Sequence, residues 1–167
     1  MSVNHYNTKL TERKVIMDII EKKAYCAENN LRWTASDEKR YNKAILNAKR
    51  DMFADFRIPF PEDIATSFSA EVAKGNKNAE VHLDNLCHSY IQFALDNYGK
   101  VMHELIKSVH RGETIYETEI MNIIRSEFHI TAPKERQETF RLAMSEMVKA
   151  NLIECQGSHR GEKLYAI

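Results

Sequence analysis

Glycine and proline are scarce, at 5 and 3 in 167 residues. All-β architectures turn often and draw on both residues, so the shortage argues against one. Cysteine is scarce too. Cys26, Cys87 and Cys155 are odd in number, widely spaced and form no CxxC pair. That argues against a disulfide framework or a thiolate zinc site and fits a reducing cytoplasm. No apolar run approaches the roughly 18–20 residues that span a bilayer. The opening MSVNHYNTKLTERK lacks the apolar stretch of a signal peptide. The expectation is a cytoplasmic chain with no membrane partner. Net charge is also missing, with 24 Lys+Arg against 24 Asp+Glu. Residues 1–99 hold 14 of each sign and residues 100–167 hold 10 of each. The positive excess common in nucleic-acid binders is absent, so such a partner would have to be met by charge gathered on one face.

What is present is a chain able to fold, with 43% hydrophobic residues. Residues 1–8 read as a loose arm. A helix is predicted from Thr11 to about Asn29, with Ile16, Ile19, Ile20, Lys23, Ala24 and Ala27 on one stripe. A second helix starts near Ser36, where Thr34 and Asp37 have the spacing of a capping box. Its inward stripe is Tyr41, Ala44, Ile45, Ala48, Met52 and Phe53. RIPFPED breaks it, and Pro61 sits at the start of a third helix carrying Ile64, Phe68 and Val72. After KGNKN a fourth helix runs from Ala79 to Tyr98. Val81, Leu83, Leu86, Tyr90, Phe93, Ala94 and Leu95 are its apolar positions and Gly99 its C-terminal cap. Phe53, Phe56, Phe60 and Phe68 are assigned to the core.

The last third changes character. Val101, Leu105, Ile106 and Val109 mark a helix that ends at Arg111-Gly112. An extended piece surrounds Ile115. A helix from Glu117 buries Ile120, Ile123, Ile124 and Phe128. Pro133 opens another that buries Phe140, Met144, Met147 and Val148. Leu152 and Ile153 begin a strand, Gly157 and Gly161 bracket a loop, and Leu164–Ile167 returns.

The cues MHELIKSV, YETEIMNIIRSEF and RLAMSEMVKANLIE occur in the order helix, extended piece, helix, helix, strand, glycine-flanked loop, strand. This order resembles the winged-helix-turn-helix superfamily over about 67 C-terminal residues. The fold class implied is mainly α: an N-terminal helical region, 1–99, followed by a winged-helix domain, 100–167, with a short β-hairpin. The resemblance implies a DNA-binding transcriptional regulator whose third helix enters the major groove while the wing touches the backbone. Lys134, Arg136, Gln137 and Arg141, with Thr139 as an addition, would read bases. Thr131 or Lys134 would hold a phosphate at the helix start. Ser158, His159, Arg160 and Lys163 would bring the wing to phosphates. Double-stranded DNA is then the partner.

The same superfamily docks proteins, and Glu135 and Glu138 interleave with the basic residues as they would on an ordinary solvated helix. A non-catalytic adaptor or inhibitor is therefore the alternative. Residues 1–99 would supply a homodimer interface, an effector pocket or a second DNA contact. The run KRYNKAILNAKR, Lys39 to Arg50, is the candidate for that contact. Small size without an appended catalytic domain suits a phage- or plasmid-like regulator.

No catalytic or cofactor motif is found. GxSxG, GxxxxGK[ST] and GxGxxG are absent. His82, Cys87 and His88 do not share a helix face, and the HExxH pattern begun by His103-Glu104 fails at Lys107. No enzyme, no cofactor and no metal are expected.

Overall fold

The computed structural model describes residues 19–167. The loose arm at 1–8, the helix start at Thr11 and Ile16 lie outside the described residues. Among those described are seven helices and one small antiparallel sheet. They divide into two compact units, one ending at Met52 and the other running Phe53–Ile167. Residues 53–99 thus share a unit with 100–167.

In the first unit, helix α1 covers 19–28 and helix α2 is Ala35–Asp55. The buried residues of α1 are Ile19 and Cys26, two turns apart, while Ala24 and Ala27 are exposed. The Ile19–Cys26 spacing sets the inward face, and the two alanines fall off it. At the start of α2 the capping box forms as its spacing predicts. Asp37 N–H donates to Thr34 Oγ1 at 3.0 Å and Thr34 N–H donates to Asp37 Oδ2 at 3.2 Å. Lys22 Nζ reaches the same carboxylate at 2.9 Å. These bonds hold the Asp37 carboxyl at about 2, below its usual value of 3.8, the Lys22 hydrogen bond contributing most. Lys23 lies 3.9 Å over the Tyr41 ring and pairs with Glu38 at 3.3 Å.

The second unit begins in the last turn of α2. Arg57 takes φ +58°, its N–H donates to the Ala54 carbonyl and Ile58 N–H donates to that of Phe53. This is a Schellman ending with arginine where glycine is usual, and the accompanying apolar pair, Phe53 and Ile58, is fully buried. Helix α3 is Glu62–Ala73, helix α4 Ala79–Asp96 and helix α5 Tyr98–Val109. Pro61 precedes α3 as its N-cap residue. Phe56 is exposed, not core. The predicted stripe of α4 is rotated: Leu83, Cys87, Ile91 and Ala94 are buried, whereas Val81, Phe93 and Leu95 are exposed. The 83-87-91-94 rhythm closes a 3.6-residue face that includes the cysteine, and the bulkier apolar residues lie outside it.

Gly99 does not cap α4. The break falls at Asn97, and Gly99 lies in the first turn of α5, buried against α7. A Cβ there would stand 2.5 Å from the Glu146 carbonyl oxygen, so only glycine permits the two helix backbones to approach this closely. Val101, Met102 and Ile106 carry the inward face of α5; Val109 is exposed.

Strand β1, Thr114–Tyr116, leads into helix α6, Glu117–Phe128, and helix α7, Pro133–Lys149. Ile120, Ile123, Ile124 and Phe128 are buried, as their spacing predicts. Pro133 stands at the first helical position of α7, where a missing N–H costs nothing. Phe140, Met144 and Met147 are buried together with Ala143, but Val148 is exposed. Asn151, at φ +55°, ends α7 in a second Schellman turn in which Leu152 N–H donates to the Met147 carbonyl. That turn delays the strand: β2 is Glu154–His159 and β3 Glu162–Ala166. Gly157 lies within β2 at a register shift, at φ +114°. The loop is only Arg160-Gly161, both at positive φ, as a type I′ hairpin turn requires. Strand order is β1-β3-β2, all antiparallel.

Candidate nucleic-acid interface

Two features of the second unit present the residues selected from sequence. On α7, Lys134, Gln137 and Arg141 are exposed, and so is Thr131 in the turn before it. Lys134, Glu138 and Arg141, spaced by four and three, make one strip along the outer side of the helix. Arg136 is half-buried. It stands one turn before Phe140 and two before Ala143, on the inward side, which leaves it poorly placed to reach a base edge. Thr139 is fully buried and donates its hydroxyl to the Glu135 carbonyl at 2.9 Å, so it cannot read bases. Thr131 lines a shallow, open depression of about 460 Å³ with Arg125, Ser126 and His129.

The hairpin supplies the rest. Ser158, His159, Arg160 and Lys163 are all exposed. His159 also faces the Tyr116 ring, at 6.5 Å between centroids. The ladder from β1 covers only Leu164–Ala166, while the β2–β3 pairing continues to His159–Glu162. The tip therefore projects past the third strand.

The acidic neighbours matter as much as the basic residues. Glu138 shares the outward strip of α7, but it accepts a hydrogen bond from Arg57 at 3.1 Å. Glu146 pairs with Lys149 at 3.0 Å. The Glu162 carboxylate accepts from the Thr118 N–H at 2.8 Å and from the Thr118 hydroxyl, and these bonds lower its pKa. Lys134, Arg136, Arg141, Arg160 and Lys163 form no ion pair with any described residue. Glu135 is exposed and unpaired beside them. None of this arrangement of pairs is visible in the charge count, which is why sequence reasoning missed Arg57, Thr118 and Glu162.

Arg57 is itself held by its backbone. Tyr98 donates its hydroxyl to the Arg57 carbonyl at 2.8 Å, and burial pushes the Tyr98 phenol up to about 12, so it remains a donor. His103 Nε2 is buried without a hydrogen-bond partner, and burial lowers the ring's pKa. On α2, Lys39, Arg40 and Lys43 are exposed, and Asn47 continues their face.

Among the described residues no group of three or more His, Cys, Asp or Glu is placed to hold a metal ion. His82 meets Ser67 at 3.4 Å, Cys87 is buried and His88 is exposed, so the three diverge. No described helix is long and apolar enough to cross a membrane. No family model, curated protein or solved structure matches the chain.

Proposed function

We propose that residues 100–167 form a winged helix and that the chain is a non-catalytic, DNA-binding transcriptional regulator, acting as a homodimer. The element order α5-β1-α6-α7-β2-β3 and the strand order β1-β3-β2 support the first part. In this reading α7 enters the major groove and the hairpin follows the backbone. The observation that carries the DNA reading is the asymmetry of pairing. Glu138, Glu146 and Glu162 are engaged inside the chain and Glu135 and Glu154 are not, whereas Lys134, Arg141, Arg160 and Lys163 are all exposed and free of ion pairs. Side-chain cations that meet phosphates release counterions from the DNA, and this release supplies essentially all of non-specific affinity.

Lys134, Gln137 and Arg141 are the base-reading candidates. Thr131, Ser158, His159, Arg160 and Lys163 would contact phosphates. The test is a mobility shift on duplex DNA from upstream of the protein's own coding sequence, beside a random duplex, at two salt concentrations. A shift that weakens by an order of magnitude or more between about 50 and 200 mM salt supports the reading. No shift at low salt removes it.

Protein docking is the second reading, favoured by Leu142 and Val148, which are exposed on α7 among the same charges. A helix face that mixes Glu135, Glu138, Leu142 and Val148 with basic residues also suits a protein surface.

A further inference from the structure

We propose that Glu162 is the positioning residue of the hairpin: its carboxylate ties the projecting tip to the N-terminus of α6 and so sets where Arg160 and Lys163 stand. The functional consequence rests on the DNA reading above; the tie itself does not.

The β1 ladder stops at Tyr116–Leu164, two residues short of Glu162. Beyond that point a two-stranded hairpin with a two-residue turn is marginal alone and free to swing. Glu162 is the first residue of β3, directly after the turn. Its side chain bonds Thr118, 44 residues away, through both the backbone N–H and the hydroxyl. Thr118 is the second residue of α6, so its N–H has no acceptor within the helix. The neighbouring orphan, Tyr116 N–H, is already taken by Glu119 at 2.8 Å. Glu162 thus satisfies a second of the orphan donors at this helix start, and a negative charge at a helix N-terminus is favoured. The contact between Tyr116 and His159 steadies the opposite strand of the same tip. An acid beside two DNA-facing cations is otherwise hard to explain, because its charge repels phosphate.

The test depends on that opposition of signs. Glu162→Ala and Glu162→Gln both remove the charge, but glutamine keeps an oxygen that can accept from Thr118. If Glu162 is only a surface charge, both variants bind DNA more tightly than the wild type. If it positions the tip, Glu162→Ala binds about threefold to tenfold more weakly, the size of losing one phosphate contact, and Glu162→Gln recovers most of the loss. The probes are the upstream duplex and a random duplex, at one ionic strength. Amide exchange at Thr118 is followed in the same proteins without DNA. It should quicken in the alanine variant and stay near wild type in the glutamine variant. Alanine binding equal to or tighter than wild type overturns the proposal. If the wild type binds no duplex, the DNA reading fails, and exchange together with the resonances of His159–Lys163 decides the tie: unchanged spectra in Glu162→Ala overturn it.

Discussion

Glu138 on the outward strip of α7 receives a hydrogen bond from Arg57, 81 residues earlier, at 3.1 Å. The pair is half exposed, so its contribution to stability is small, about 0–1 kcal/mol. Its effect on a partner is larger. With Glu138 present, one cation is occupied and one anion lies between Lys134 and Arg141. Glu138→Gln therefore should tighten duplex binding and steepen its dependence on salt, measured by fluorescence anisotropy across a salt series, while the melting temperature barely moves. Under the docking reading the same variant would leave DNA unaffected.

The close approach of α5 to α7 gives a second prediction. Gly99→Ala would place a methyl 2.5 Å from the Glu146 carbonyl oxygen and 2.8 Å from its carbonyl carbon. These are backbone atoms inside a helix and cannot swing aside. The expected cost is about 1–3 kcal/mol, or more if α5 must shift bodily. Urea unfolding measures it. A stability unchanged within error would mean that the helices separate easily.

The contrast between α6 and α4 shows what was legible. In α6 the large apolar residues are Ile120, Met121, Ile123, Ile124 and Phe128; all but Met121 are buried, and the 120-123-124-128 spacing leaves periodicity one solution. In α4 there are more apolar residues than the inward face can take, and the true phase depends on Cys87 and Ile91 rather than Val81, Phe93 and Leu95. Only the neighbouring helices decide that phase. The Arg160-Gly161 turn was legible as glycine near a loop, yet its two-residue length was not, because Gly157 was also available and proved to be a bulge. At the candidate interface, the resemblance placed Lys134, Arg136, Gln137, Arg141 and Thr139 on the outer side of the helix; Lys134, Gln137 and Arg141 are exposed, while Arg136 is half-buried and Thr139 buried. The partners of the acids were not legible, since Arg57–Glu138 and Thr118–Glu162 are contacts between residues distant in sequence.

Asp37 should make the chain acid-sensitive. Its carboxyl is held at about 2 in the folded chain by Lys22 and the two Thr34 bonds, against 3.8 unperturbed. A depressed folded value means that the ionised form is the stabilising one. Its contribution is complete above pH 4 and disappears as the pH falls from about 4 to about 2. Thermal melts of wild type and Asp37→Asn should differ at pH 6 and converge near pH 2. Parallel curves across that range would show that the capping box does not depend on charge.

Thr139 separates a structural role from a reading role on α7. Its side chain is fully buried and its hydroxyl bonds the Glu135 carbonyl. Thr139→Val keeps the shape and removes that bond, which should cost about 1 kcal/mol or less, because the carbonyl remains an acceptor within the helix. Duplex affinity and base preference should not change. Altered base preference in this variant would mean that α7 rotates on binding.

Arg160 stands at the apex of the hairpin at φ +52°, followed by Gly161 at +77°. A left-handed backbone disfavours arginine, whereas Asn-Gly is the preferred pair for a type I′ turn. Arg160→Asn should therefore stabilise the hairpin by a few tenths to about 1 kcal/mol and at the same time remove one cation from the tip. The two effects are read separately. Chemical denaturation should show a small gain, while duplex affinity falls and the salt slope decreases by about one unit, as expected for one lost phosphate contact. Arg160→Lys should keep the slope without the gain. A gain in stability with affinity and salt slope both unchanged in Arg160→Asn would place the hairpin tip away from DNA and leave α7 as the contact surface, since a charge whose loss changes neither never met a phosphate.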